Sequence, residues 1–239
     1  MRVAIVSDIH GNRTALEAVV RDLATTSPDL VLHGGDLADG GSSPAEVVDR
    51  IRSLGWQGVL GNTDEMLARP EAFSDFQRGS SASRVLFALV EEMATWSRAR
   101  LGAERLAWLG SLPRAASLED LALVHASPET PWRSPGDQAK NAELEAVYGP
   151  LGKPVVVYGH IHRPYVRRLA SFAVANAGSV GLPYDGDRRA SYLLLEGREP
   201  TIRRVTYDWE EEARELQASG LPHESWVRRM LEAASPQMP

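Results

Sequence analysis

No cysteine occurs in the 239 residues. That excludes disulfides, thiolate metal sites and cysteine nucleophiles together. Any metal must then be held by His, Asp, Glu or Asn, which are hard or borderline donors. Long apolar runs are missing too. No stretch approaches the roughly 18–20 residues that span a bilayer, so no membrane partner is expected. Met1-Arg2 runs straight into Val3-Ala4-Ile5-Val6, without the basic segment, apolar core and cleavage site of an export signal. A cytoplasmic location is the expectation. An excess of basic charge is also absent. The formal net charge is −6, whereas non-specific nucleic-acid binding usually needs a basic face. A local cationic pocket stays open.

What is present is an ordinary globular composition, 43% hydrophobic and 24% charged. The length allows one domain with layered sheets or two small ones. The apolar run Val3–Val6 predicts a strand covered on both faces. Leu16, Val19, Val20 and Leu23 follow at helical spacing. Leu30–Leu32 predicts a second strand. Pro44, favoured at a first helical position, opens a helix through Val47, Val48, Ile51 and Leu54. Trp56–Leu60 predicts a third strand. Strand, helix, strand, helix, strand implies parallel pairing with right-handed crossovers.

From about 75 to 112 the pattern predicts packed helices without intervening strands, with Arg78 and Arg84 as candidate contacts for an anion. Leu121–Val124 and Val155–Tyr158 predict two more strands. After them come short strands near Tyr165-Val166, Ser171–Ala175, Ser191–Leu195 and Thr201–Thr206, separated by turns in antiparallel style. Asp208 is a candidate N-cap for a helix ending near Gly220, and Pro222–Leu231 predicts a last one. The switch from helix-linked to turn-linked strands suggests two sheets within one domain over 1–207. Two C-terminal helices over 208–232 would pack on it, and 233–239 would form a frayed tail.

The informative feature is where the polar residues fall. Asp8-Ile9-His10, Gly35-Asp36, Gly61-Asn62, His125 and Gly159-His160-Ile161-His162 each follow a predicted strand. A lone His-x-His proves little, since imidazole serves as ligand, acid, base or plain polar residue. Repetition at successive strand exits is the stronger signal, because loops there often carry function.

In order, spacing and placement these motifs resemble the calcineurin-like metallophosphoesterase superfamily, from Asp8 to about Ser179. The Asp-x-His-Gly-Asn opening and Asn176-Ala177-Gly178-Ser179-Val180 are similar to its small bacterial and archaeal phosphodiesterase-like branch. The resemblance implies an α/β fold, a four-layer α-β-β-α sandwich with two mixed central sheets. It also implies two divalent metal ions, with Asp8, His10 and His162 on one, Asn62, His125 and His160 on the other, and Asp36 bridging. Manganese is the first expectation, and iron, zinc, nickel, cobalt or magnesium would suit the same donors.

The expected activity is hydrolysis of a small phosphorylated substrate, a phosphodiester, activated monoester or phosphoanhydride, by a metal-bound hydroxide. Two-metal hydrolytic sites hold their ions about 3.5–4 Å apart and acidify bound water, and an anionic bridge offsets the repulsion between them. Catalysis would rest on Asp36, Asn62, His125 and Asp64. Asp64 and Asn12 fit ligand-orienting roles. Asp39 and Asn176 could do likewise, although a turn or cap role suits Asn12 and Asp39 equally well. Ser179 fits a backbone turn better than a nucleophile. His33 is expected to be packed and hydrogen-bonded near the site, and His223 to face solvent.

One departure stands out. Many members carry His after the Gly-Asn pair, where it protonates the leaving group or stabilises the transition state. Here the residue is Thr63, whose hydroxyl is far too weak an acid for that task. Slow turnover of alkyl esters is therefore expected. The alternative reading is a catalytically weak member that binds metal or a phosphorylated ligand as a sensor.

Overall fold

The computed structural model describes residues 1–80 and 84–239. Residues 81–83, which fall within the helical reading of 75–112, lie outside the described residues. In the first sheet β1 (Arg2–Val6), β2 (Leu30–His33) and β3 (Gln57–Gly58) pair in parallel. In the second, β4 (Ala115–Ser117), β5 (Leu121–Val124), β6 (Val155–Tyr158), β7 (Tyr165–Arg168) and β8 (Ala173–Asn176) take the order β4-β5-β6-β8-β7. There β5, β6 and β8 are parallel and the edges β4 and β7 antiparallel. The antiparallel hairpin β9 (Ala190–Glu196) and β10 (Glu199–Val205) returns to the first sheet and completes the order β10-β9-β1-β2-β3.

Alternation along the apolar runs builds the layers. Val3 and Ile5 of β1 meet Val155 and Val157 of β6 between the two sheets. Ala4 and Val6 face the opposite way, into a core with α1 (Arg13–Thr26), α2 (Pro44–Ser53) and α3 (Asn62–Ala68). α4 (Pro70–Arg78) and α5 (Arg84–Gly110) extend that helical layer through Phe73, Met93, Leu101 and Leu109. On the far side Val156 and Tyr158 pack with Leu144 and Tyr148 of α6 (Asn141–Tyr148). The result is the four-layer sandwich with two mixed sheets. Among the described residues, no helix is long and apolar enough to cross a membrane.

Three local features differ from the sequence reading. The strand expected over Trp56–Leu60 is limited to β3, because the Leu60 N–H leaves the sheet to donate to the Pro113 carbonyl at 2.8 Å. Gly61-Asn62-Thr63-Asp64, read as a loop, is the first turn of α3, with the Asp64 carboxylate accepting from the Gly61 N–H at 3.1 Å. β4 consists of Ala-Ala-Ser and carries no strand signal; it forms because β5 offers it an edge.

The chain ends in α7 (Trp209–Ser219) and α8 (Glu224–Ala233), which add Leu216, Val227 and Met230 to the core of the first sheet. Over 233–239, the Gln237 carbonyl accepts from Trp226 Nε1 at 2.8 Å, and the Ala234 carbonyl from the Gly186 N–H at 2.9 Å.

α7 also buries a carboxylate. Glu212 is 1% exposed; Oε1 accepts from the Ser42 N–H at 3.4 Å, and Oε2 has no partner among the described residues. Burial pushes its carboxyl from about 4.5 up to about 7, with Ser42 and Thr14 pulling the other way. Such a group favours the fold fully below its unfolded value and loses that contribution as pH rises through its folded one. Glu212→Gln is therefore expected to stabilise the chain by about 1–3 kcal/mol at pH 8 and to give almost no gain near pH 4.5. Urea unfolding of both proteins across that range checks it; a gain independent of pH would contradict the argument.

Candidate metal centre

Parallel strands bring their carboxyl ends to one edge of a sheet, where open α/β folds place their ligands. β1 and β2 leave that edge of the first sheet through Asp8, His10 and Asp36. β3 leaves nearby, through Val59 and Leu60, into Asn62. β5 and β6 leave the second sheet through His125, His160 and His162. The seven residues predicted as ligands converge there. Asp8, Asp36, His10, His125 and His162 are buried, and His160 and Asn62 are half-buried.

Backbone conformation explains how residues one apart can share a site. Asp8, His10, Asp36, His160 and His162 all have positive φ, between 50° and 68°. The other non-glycine residues with positive φ, Ser27, His223 and Ala234, sit at helix caps. A left-handed residue costs order 1–3 kcal/mol, and such strain clusters at functional sites. Two close approaches complete the cradle. A Cβ on Gly61 would lie 2.1 Å from Asp36 Oδ1, and one on Gly159 would lie 2.4 Å from Asp8 Oδ2. Neither glycine can carry a side chain without displacing a carboxylate.

Two groups of donors result. Asp8, His10 and His162 form one; Asp8, Asp36 and His125 form the second, with donor atoms within 4.8 Å of one another in each. His162 Nε2 is 3.3 Å from Asp8 Oδ1, and His10 Nε2 is 3.7 Å from Asp36 Oδ2. His125 Nε2 is 3.5 Å from Asp36 Oδ1. Asp8 belongs to both groups, and Asp36, a member of the second, turns its other oxygen toward His10 of the first. Asn62 Oδ1 adjoins the second group, 2.9 Å from both His125 Nε2 and His160 Nδ1.

The hydrogen-bond pattern tests whether this set suits a cation. Nδ1 of His10, His125 and His162 faces the carbonyl of Asp39, Gly34 and Leu182 at 2.7, 2.7 and 2.6 Å. A carbonyl only accepts, so each Nδ1 carries the hydrogen, and each ring in its neutral form turns the Nε2 lone pair inward. The Nε2 atoms of His10 and His162 then face each other at 3.1 Å. Two lone pairs at that distance repel, and a bound cation converts the repulsion into ligation. The donor chemistry fits divalent metal.

The charge states agree. Burial, with His162 next, lowers the His10 pKa, and burial, with His125 next, pushes His160 down to about 4. Both rings are neutral near pH 7. Burial works to raise Asp8, but at the acid pH where it titrates the protonated rings of His162, His125 and His10 outweigh it and hold its carboxyl well below the usual range. For His125 burial is outweighed by Asp36 and Asp8, and its pKa rises.

The supporting residues fall into place around this centre. Asp64 accepts from the N–H groups of Asp36 and Leu37 at 2.7 and 3.0 Å, fixing the Asp36 loop from outside the donor groups. Burial, reinforced by Asp36, pushes the Asp64 carboxyl up to about 7. Asn176 donates to the Gly159 carbonyl, Asn12 caps α1 through the Ala15 N–H, and Ser179 Oγ donates to the Asp8 carbonyl at 2.6 Å. Asp39 serves His10 through its carbonyl, while its carboxylate accepts from Ser97 at 2.7 Å. Ser179 thus has a turn role.

His33 is fully buried beside Trp108, but neither ring nitrogen has a hydrogen-bond partner among the described residues. The expected hydrogen bond is therefore not there. His223 caps α8 and meets Glu92 at 2.9 Å, so it is partnered as well as half-exposed. Arg78 pairs with Asp75, outside the donor groups. No sequence signal marks Tyr184, whose ring stacks on His162 at 4.4 Å and 22°. None marks Glu65, Arg69, Arg114 and Trp132, which interlock one helical turn beyond Asn62. Apart from the Glu65–Arg69 pair, four residues apart, these contacts join separate elements and leave no spacing to read.

Comparison with known proteins places this geometry. Residues 1–199 match the family described as the calcineurin-like phosphoesterase superfamily domain. An uncharacterized protein of Methanocaldococcus jannaschii is 26% identical over 96% of both chains. The crystal structure of a metallophosphoesterase from Sphaerobacter thermophilus is similar with a TM-score of 0.80 and 28% identity, covering 98% of this chain and 100% of that one. A hypothetical protein of Pyrococcus horikoshii OT3 shares the fold with a TM-score of 0.85 at 18% identity, over 99% of each chain.

Proposed function

The chain belongs to the calcineurin-like phosphoesterase superfamily, and from that premise we propose that it hydrolyses phosphoric esters with two divalent cations. The substrates are small phosphodiesters, activated monoesters or phosphoanhydrides. Asp8, His10 and His162 would hold one cation and Asn62, His125 and His160 the other, with Asp36 shared. The observation that carries this reading is the inward pairing of lone pairs, His10 against His162 at 3.1 Å, with a buried carboxylate facing both groups.

When bound, the cations supply Lewis acidity toward phosphoryl oxygens and lower the pKa of water. The rest falls to the chain. Asp8 and Asp36 offset only part of the cationic charge, which leaves the pocket attractive to phosphate although the protein is acidic. Asp64 keeps the Asp36 loop in place, and the carbonyls behind three imidazoles fix their tautomers. At Thr63 the chain supplies no group acidic enough to protonate a leaving group.

The test joins metal content to turnover. Protein supplied with Mn²⁺ is expected to hold about two ions per chain and to hydrolyse bis(4-nitrophenyl) phosphate, with activity lost to a chelator and regained on adding metal. Folded protein that takes up no metal would end the proposal. Two bound ions without turnover would favour the sensor reading, for which Thr63 is the supporting observation.

A further inference from the structure

Beside the metal centre lies a cavity of about 480 Å³ whose wall contains Glu65, Arg69, Arg114, Thr130, Trp132 and Arg133. Three site-bearing segments reach it. Glu65 stands on α3, one turn beyond Asn62 or roughly 5 Å along the axis, and Arg69 caps the end of that helix. Arg114 follows Pro113, whose carbonyl holds the Leu60 N–H next to Gly61-Asn62. Thr130 and Trp132 lie in the loop that leaves His125.

The wall is built around one buried carboxylate. Glu65 is 4% exposed in its side chain; Arg69 and Arg114 both donate to its Oε1, Arg114 at 2.9 Å, while Trp132 Nε1 donates to Oε2 at 2.6 Å. Two guanidiniums on one carboxylate make this cluster locally positive, although Glu71 and Asp75 against Arg133 balance the charge of the whole lining. Each guanidinium side chain stays 50% exposed, so part of each fork is free to face a ligand. Phe76 stacks on Trp132 at 4.8 Å and stiffens the loop side of the wall. Arg133 lies 5.9 Å from the Phe76 ring and donates to the Gly79 carbonyl at 3.0 Å. The exposed Glu71 and Asp75 also line the cavity, with Asp75 engaged by Arg78.

Two guanidiniums that share one carboxylate oxygen keep donors to spare, and planar guanidinium forks match phosphate geometry. We propose that Arg69 and Arg114 form a subsite for a second phosphate of the substrate, several bonds away from the phosphorus that is hydrolysed. The substrate class is then a phosphoester bearing two separated phosphate groups. This rests on the hydrolase reading and narrows it.

The test compares adenosine 3′,5′-bisphosphate with adenosine 5′-monophosphate as inhibitors of bis(4-nitrophenyl) phosphate hydrolysis by the Mn²⁺-loaded protein. The bisphosphate is expected to inhibit at about tenfold lower concentration. That ratio should fall toward one in Arg69→Gln and in Arg114→Gln, and stay unchanged in Arg198→Gln, which alters an arginine that pairs with Asp120 away from the cavity. Thermal midpoints establish that each variant is folded. Equal inhibition by the two nucleotides, or a ratio that survives both cavity variants, overturns the subsite. Absence of turnover would instead strike the hydrolase reading. The same two nucleotides titrated calorimetrically then give the ratio by binding alone, and equal affinities would again overturn the subsite.

Discussion

Asp36→Asn is expected to lower hydrolysis of bis(4-nitrophenyl) phosphate by about a thousandfold or more, and to reduce metal content from about two ions per chain to one or fewer. The substitution preserves volume and removes one negative charge. Asp36 is 2% exposed, and its two oxygens face different donor groups, 3.7 Å from His10 Nε2 and 3.5 Å from His125 Nε2. With the charge gone, Asp8 alone would be left to offset the repulsion between two neighbouring cations. The fold should tolerate the change. Asn accepts positive φ better than most residues, and its amide oxygen can still take the Thr63 N–H, now bound at 2.9 Å. Activity within tenfold of the parent at a full metal complement would show that Asp36 is not shared.

Thr63→His should act in the opposite direction and selectively. The Thr63 N–H binds Asp36, which sets the residue at the mouth of the donor groups, while Oγ1 is buried without a hydrogen-bond partner among the described residues. An imidazole there could donate a proton to a departing oxygen. General-acid help is worth typically about 10²–10⁴ in rate, and most when the leaving group is poor. Across aryl and alkyl esters of graded leaving-group pKa, the parent is expected to slow steeply and the variant much less. The poorest substrates should gain about a hundredfold. A flat dependence in the parent, or parallel slopes in both, would show that Thr63 leaves no catalytic gap.

How much of this could be read from sequence differs by element. The strands were legible because a run such as Val155-Val156-Val157 must be covered on both faces, and the layers follow from that. The seven donors were legible because each sits just past such a run. β4 was not, since Ala-Ala-Ser becomes a strand only through the edge that β5 provides. The helical start at Asn62 was hidden by turn-forming residues that serve equally as a helix cap. The arginine pair on Glu65 was invisible for a different reason. Glu65 and Arg69 are four apart along one helix and its cap, but Arg114 and Trp132 come from other segments, and only the folded chain reveals that all meet at one carboxylate. His33 marks the opposite error: a histidine among ligand motifs suggested hydrogen bonding, yet its ring sits in apolar surroundings, where burial pushes its pKa down to about 3.

The left-handed candidate ligands set the direction in which this protein drifts. Five residues hold a conformation that glycine or asparagine would adopt with less effort. Exchanges that relax the backbone at these positions also discard a donor. Selection for heat resistance alone would therefore gather inactive descendants, and only a requirement for activity keeps the five in place.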